Sequence, residues 1–204
     1  MQHLKMMAII ALLLACGSVQ AGEYNRVLSP GDAAPAWDGL PGTDGKKHSL
    51  SDFKDEDAVV IVFTCLSCPY AADYEERFNS LAKQYDSESG KVGFAAICVN
   101  RIAADRLDKL TARVNQQKLV VPILYDESQK IAKDYGAITT PEFFVLNRER
   151  KIVYMGAMDD ATDATKVTKR FVEDALAATL KGESPLVKET VARGCLIRWA
   201  RERQ

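Results

Sequence analysis

From Ala58 to Thr64 the chain is an unbroken run of apolar, mostly β-branched residues, closed by a threonine. Neither a helical nor an alternating period is present, as expected for a strand buried on both faces of a sheet. Beyond two cysteines and a proline the period changes. Ala71, Tyr74, Phe78, Leu81 and Tyr85 recur at intervals of three and four, predicting an amphipathic helix that closes near Ser89-Gly90. Val92 to Val99 predicts a second buried strand, and Leu107, Leu110 and Val114 a helix from about Ala104 to Gln117. Val120 to Tyr125 predicts a short strand, and Ser128 to Tyr135 a helix stopped by Gly136. Phe143 to Leu146 and Ile152 to Met155 predict two strands joined by the charged turn Asn147 to Lys151. A last helix is expected from about Lys166 to Leu180, with Val167, Phe171, Ala175 and Leu176 on one face and Gly182 just past its end. Upstream, short extended pieces between Ala36 and Leu50 flank Gly42-Thr43-Asp44-Gly45, whose Asp-Gly pair signals a hairpin turn. Strands alternating with helices imply an α/β fold, with parallel strands joined by helical crossovers. One domain is expected over residues 31–182, after a flexible lead-in at 22–30 and before a tail at 183–204 that has no periodic context.

Composition narrows the class. The 204 residues are 47% hydrophobic, enough for a sizeable core, and 27 Lys and Arg nearly balance 28 Asp and Glu. No strong field points toward nucleic acid or an anionic membrane, which counts against a charge-driven partner. Residues 1–21 read as an export signal: Lys5, an apolar stretch from Met6 to Ala15, then small and polar residues. Val19-Gln20-Ala21 suits an ordinary signal peptidase, whereas Leu13-Leu14-Ala15-Cys16 resembles a lipobox, with a leader ending at residue 15. The expectation is a periplasmic or secreted protein, and acylation of Cys16 would anchor it to a membrane.

Exported compartments let disulfides persist, so the cysteines carry weight. Cys16 belongs to the leader; Cys65, Cys68, Cys98 and Cys195 belong to the body, which has a single histidine, His48. That scarcity counts against a histidine-rich metal centre and against a Ser/His/Asp triad. Cys65 and Cys68 stand where a strand hands over to a helix. There the unpaired N–H groups and the positive end of the helix dipole favour a thiolate, and Cys65 is expected to be the more acidic sulfur. A dithiol at this place can attack a substrate disulfide with one sulfur and resolve the mixed disulfide with the other. Two other readings remain. A soft-metal carrier, for example for copper, would use both sulfurs as ligands, and a structural staple would simply lock the turn. Of the rest, Cys98 sits in an apolar strand and reads as inert, and Trp37 and Trp199 read as packing anchors. Asp159, Asp160 and Asp163 read as loop and helix-start chemistry, and Glu142 as a solvated strand start.

"GDAAPAWDG" at 31–39, "HSLSDFK" at 48–54, "FTCLSCPY" at 63–70 and "YGAITTPEFFVLNRERKIVYMG" at 135–156 together resemble the redoxin branch of the thioredoxin superfamily. Its members include the alkyl hydroperoxide reductase and thiol-specific antioxidant proteins and exported thiol-disulfide oxidoreductases. The resemblance spans about residues 27–180. It implies a thioredoxin-like three-layer sandwich, a central mixed β-sheet flanked by helices. It also implies an oxidoreductase with Cys65 as nucleophile and Cys68 as resolving thiol, and a cis proline at Pro141 whose neighbour Thr140 pairs with an extended substrate. "GCLIRW" at the tail resembles the ending of one exported subgroup, which makes Cys195 a candidate third redox cysteine. Protein or small-molecule disulfides and a redox donor or acceptor protein are the implied partners, and no bound cofactor or metal is required. The sequence departs from the peroxidase pattern. A proline seven residues and a threonine or serine three residues before the reactive cysteine are absent whether one counts from Cys65 or from Cys68. Thiol-disulfide exchange is therefore the leading expectation and a thiol peroxidase the alternative.

Overall fold

The computed structural model describes residues 22–88 and 91–200. The leader with its two cleavage readings, Cys16 and the expected helix end at Ser89-Gly90 lie outside the described residues. A small antiparallel hairpin, β1 (Leu40–Pro41) and β2 (Lys47–His48), forms around the Asp44-Gly45 turn. The main sheet follows: β3 (Ala58–Phe63), β4 (Val92–Cys98) and β5 (Ile123–Tyr125), and later β7 (Glu142–Asn147) and β8 (Ile152–Gly156). Between β5 and β7 lies the two-residue strand β6 (Thr139–Thr140), and at the end of the chain β9 (Cys195–Leu196) pairs with it. The helices are α1 (Pro69–Glu88), α2 (Leu107–Gln117), α3 (Lys130–Tyr135) and α4 (Phe171–Leu180).

The order across the main sheet is β5-β4-β3-β7-β8. β3 runs parallel to β4, and β4 to β5, through helical crossovers, while β7 and β8 are antiparallel. β3 is central and buried along its whole length, which accounts for its lack of alternation. Its even-numbered side chains, Val60 and Val62, join a core with Ala71, Tyr74, Phe78 and Leu81 of α1, Leu110 of α2 and Val172 and Leu176 of α4. Its odd-numbered ones, Val59, Ile61 and Phe63, face Ile131, Ala132 and Tyr135 of α3 together with Trp37, Leu40 and Leu50. Two cores on opposite faces of one mixed sheet make the three-layer sandwich. Each large buried side chain contributes about 1.5–3 kcal/mol.

Helix starts are where sequence and structure part. The helix expected from Ala104 begins only at Leu107, after a 3-10 turn at Ala103–Asp105 and an extended Arg106, because the Asp105 side chain turns inward to other partners. The helix expected from Lys166 begins at Phe171, because Asp160 accepts the N–H groups of Thr168 and Lys169 and holds that stretch as a loop. Gly136 ends α3 as expected, at φ 66°, a left-handed conformation that glycine adopts without a Cβ penalty.

Candidate active site

β3 ends at Phe63, and the Thr64 N–H still donates to the carbonyl of Ile97 in β4. The chain then turns over four residues, and α1 starts at Pro69, with Cys68 as its cap. Proline suits the first helical position, where its missing N–H would have had no partner. The Ala72 N–H donates to the Cys68 carbonyl at 3.2 Å, closing the first turn. Cys68, rather than Cys65, therefore occupies the helix N-terminus.

This placement reverses the expected order of acidity. Cys68 is fully buried, and burial pushes its thiol up. Hydrogen bonds from the Cys195 side chain, the Ala71 and Cys195 backbone and the Thr140 side chain outweigh that, leaving it below the ordinary thiol range. Cys65 is only 4% exposed, and its thiol is raised. Burial is the main cause; the Thr140 and Ser67 hydroxyls, at 3.2 and 3.7 Å, offset it only in part, and the negative charge of Asp105 adds to it. Cys65 is thus the less acidic sulfur, and it is recessed: it lines an open cleft of about 600 Å³ with Leu66, Ala104, Lys109 and Arg113.

Thr140 joins the parts. The Thr140-Pro141 bond is cis. The Thr140 hydroxyl meets the Cys65 sulfur, and its carbonyl accepts the Cys68 S–H at 2.9 Å. Glu142, expected to be solvated, is instead buried. Its carboxylate accepts the N–H groups of Ile138 and Thr139 and the Thr139 hydroxyl, which fastens the loop before Pro141. The edge of β6, where an extended substrate was expected to pair, is already taken. β9 lies antiparallel on it, with Thr140 opposite Cys195 and Thr139 opposite Leu196. Gly194 makes this approach feasible, since a Cβ there would come within 2.1 Å of the Thr140 carbonyl oxygen. Cys195 is half-buried and hydrogen-bonded to Cys68, and that bond, followed by burial, raises its thiol to about 11.

Sequence reasoning missed Asp105 and Asn100. The fully buried Asp105 carboxylate accepts the Ser67 N–H at 2.8 Å, the Ser67 hydroxyl at 2.6 Å and the Asn100 amide at 2.9 Å, so it shapes the turn between the two cysteines. Asn100 in turn accepts the Arg198 N–H of the tail at 2.9 Å. An aspartate at a predicted helix start reads as a cap, and nothing in the linear pattern distinguishes it from one. Cys98 is fully buried, donates to the Asp105 carbonyl at 3.6 Å and is raised by burial, which fits an inert thiol. Trp37 is buried, whereas Trp199, expected as a packing anchor, is 39% exposed. Asp159 is buried against Arg77, and Asp160 and Asp163 hold local turns. All four cysteines of the body are free thiols. Among the described residues no group of three or more His, Cys, Asp and Glu side chains is arranged to hold a metal ion.

A dithiol at a strand-to-helix turn beside a proline loop is an arrangement found in many proteins of one fold, and comparison narrows the choice. The profile of the AhpC/TSA family matches residues 30–155. The chain belongs to the AhpC/TSA family. Among curated relatives of this redoxin, "Putative peroxiredoxin Rv2521" of Mycobacterium tuberculosis is 29% identical over 110 residues, 54% of this chain. The match spans 65% of that relative's length, just under two thirds. "Thiol-disulfide oxidoreductase ResA" of Bacillus thuringiensis is 27% identical over 152 residues, 71% of this chain and 83% of the relative. The named relatives of the redoxin are therefore oxidoreductases of two kinds. Two solved structures share 30% identity with it. A hypothetical protein of Sinorhizobium meliloti matches with TM-score 0.79, covering 87% of this chain and 98% of its own. An uncharacterized protein of Geobacillus kaustophilus matches with TM-score 0.80, covering 88% and 96%. Peroxidoxin BcpB of Mycobacterium tuberculosis, at 21% identity and TM-score 0.57 over 75% of this chain and 96% of its own, shows the shared thioredoxin fold.

Proposed function

We propose that this redoxin exchanges thiols and disulfides through Cys65 and Cys68. The supporting observation is the division of labour between the two sulfurs: Cys65 lines the cleft, while Cys68, at the start of α1, is buried and the more acidic of the two. In the reducing direction Cys65 attacks one sulfur of a substrate disulfide, forming a mixed disulfide and releasing the first substrate thiolate. Cys68 then attacks Cys65, forming the Cys65–Cys68 bond and releasing the second. The substrate gains two electrons and the protein dithiol loses them. In the oxidising direction a substrate thiolate attacks Cys65 of that bond and Cys68 leaves. A more acidic leaving sulfur departs faster, so the acidities favour this second direction. Thr140 contacts both sulfurs and would orient them in either case.

The substrates in this reading are protein or small-molecule disulfides and thiols, and a donor or acceptor protein renews the pair. The leader-like pattern of residues 1–21 supports a reaction outside the cytosol, in the periplasm or secreted, with acylation of Cys16 as a route to a membrane. The test is turnover of a protein disulfide by the wild type and by Cys65→Ser and Cys68→Ser. Both variants are expected to lose turnover, and Cys68→Ser should accumulate a mixed disulfide on Cys65. Turnover that survives Cys65→Ser would overturn the reading.

A thiol peroxidase is the second reading, favoured by the peroxiredoxin relative and by the donors that stabilise the Cys68 thiolate. Rapid mixing of the reduced protein with hydrogen peroxide separates the two, since a peroxidase loses free thiol within the mixing experiment and an exchange enzyme does not.

A further inference from the structure

The tail brings a third sulfur into the site by a route the exchange reading does not need. β9 occupies the edge of β6 in register, placing Cys195 opposite Thr140, whose carbonyl also accepts the Cys68 S–H. Cys195 is bonded to Cys68 through both its side chain and its backbone N–H. Gly194 lets the two backbones close up, and the strand is secured beyond the site. Ile197 donates to the Ile138 carbonyl at 2.9 Å, Arg198 to Asn100 at 2.9 Å, and Ala200 to Gln129 at 2.7 Å. An extended chain docked on an edge strand by main-chain hydrogen bonds is the way a peptide substrate is recognised by strand addition. Here the docked chain is the protein's own, and it carries a thiol at the point nearest the dithiol. Cys195 is also less buried than either partner sulfur.

We propose that the tail is a built-in exchange partner: Cys195 acts as a third redox cysteine that forms a disulfide with Cys68. The proposal rests on the exchange reading for its starting state, the Cys65–Cys68 disulfide. The Cys195 thiolate attacks the Cys68 sulfur, the Cys68–Cys195 bond forms, and the Cys65–Cys68 bond breaks. Cys65 leaves as a thiolate and takes up the proton that Cys195 gave up. No electrons enter or leave, so the step needs no further oxidant. It returns Cys65 to the cleft as a free thiol and moves the oxidised pair toward the surface, with β9 tied over the β6 edge. Once Cys68 is in a disulfide it has no charge. The interaction that most raises the Cys195 thiol is then gone, which eases its ionisation for the attack.

The experiment treats the full chain and its Cys65→Ser variant with oxidised glutathione, blocks free thiols at acid pH, and maps peptides without reduction. In the variant, Cys68 and Cys195 are expected to lose their free thiols together, with residues 194–198 disulfide-linked to the peptide that contains Cys68. In the wild type part of the same linked peptide is expected, with Cys65 blocked as a free thiol. Gly194→Ala, which pushes β9 off the Thr140 carbonyl, should lower that linked fraction several-fold. A Cys68 that ends glutathionylated or free in the variant, together with a wild type linked only through Cys65 and Cys68, overturns the proposal. Should the variant fail to fold, the wild-type map alone decides, since the absence of any link to residues 194–198 is sufficient to overturn. The two readings fail separately. A wild type that turns over a protein disulfide but shows no link to Cys195 in any sample removes the tail partner alone. A Cys68–Cys195 link in a protein that turns over no disulfide removes the exchange function alone.

Discussion

The turn that carries Cys65 and Cys68 and the tail that carries Cys195 meet at Thr140 but are held there by different means. The turn is fixed from within the fold: β3 is buried on both faces, α1 is anchored through Tyr74, Phe78 and Leu81, and the fully buried Asp105 carboxylate gathers three donors beneath it. The tail has one fully packed apolar anchor near the site, Ile197, and Leu196 beside it is 72% exposed. Backbone pairing with β6, single hydrogen bonds to Asn100 and Ile138 and two to Gln129 do the rest. A region built on buried apolar area is rigid at the scale of the whole domain, whereas one built on edge hydrogen bonds opens locally at little cost. The site therefore joins a fixed dithiol to a third thiol that can be released.

That contrast can be attacked at its strongest point first. Asp105→Ala leaves the Ser67 N–H, the Ser67 hydroxyl and the Asn100 amide without their acceptor in a buried place, so denaturant unfolding is expected to show a loss of about 2–4 kcal/mol. The same variant should loosen both regions, because Asn100 links Asp105 to Arg198. Gln129→Ala removes bonds to Val99, Arg198 and Ala200, and because it touches mainly the tail it should cost a smaller ~1–2 kcal/mol. Its clearer readout is faster proteolytic cleavage after Arg193 or Arg198, with the domain intact. Cys195→Ala should raise the midpoint of Cys68 ionisation, followed by ultraviolet thiolate absorbance. Burial pushes that thiol up, and the bond from the Cys195 side chain is the first of the contacts that pull it down. The sign follows from which form gains the bond: Cys195 stabilises the anion, so losing it means that a higher pH is needed to make the anion. Leu196→Ala should change stability by less than about 0.5 kcal/mol, as expected for an exposed side chain whose strand is held by its backbone.

The parts of this molecule that make a core announced themselves in the chain. The unpatterned run at 58–64 became the central strand, and the three-four spacing of Ala71, Tyr74 and Phe78 became the face of α1. Both follow from side chains seeking apolar partners, a property local residue types carry. What stayed hidden depends on backbone groups finding one another. β9 has no alternation, because it is two residues long and is held by main-chain pairing with β6. The acidity order was misread for a related reason. A strand-cysteine-helix pattern does not say at which residue the helix begins, and a shift of three residues decides which sulfur receives the Ala71 N–H. Asp105 was opaque because its partners, Ser67 and Asn100, lie on different elements of the sheet's end.

The tail does something else on its way to the site. β8 pairs with β7 along one side, and its other side would be bare were it not for two borrowed segments. Gly31, Asp32 and Ala34 bond to Ile152 and Arg150, and Lys188 and Thr190 bond to Met155. The Tyr154 hydroxyl reaches the Thr190 hydroxyl at 2.6 Å. A bare outer strand is a template on which further chains can stack. Cutting away the last twenty residues to free the cysteines would thus strip insulation from the sheet margin. The shortened protein should self-associate before its chemistry could be judged, so single substitutions, not deletions, are the tools suited to this redoxin.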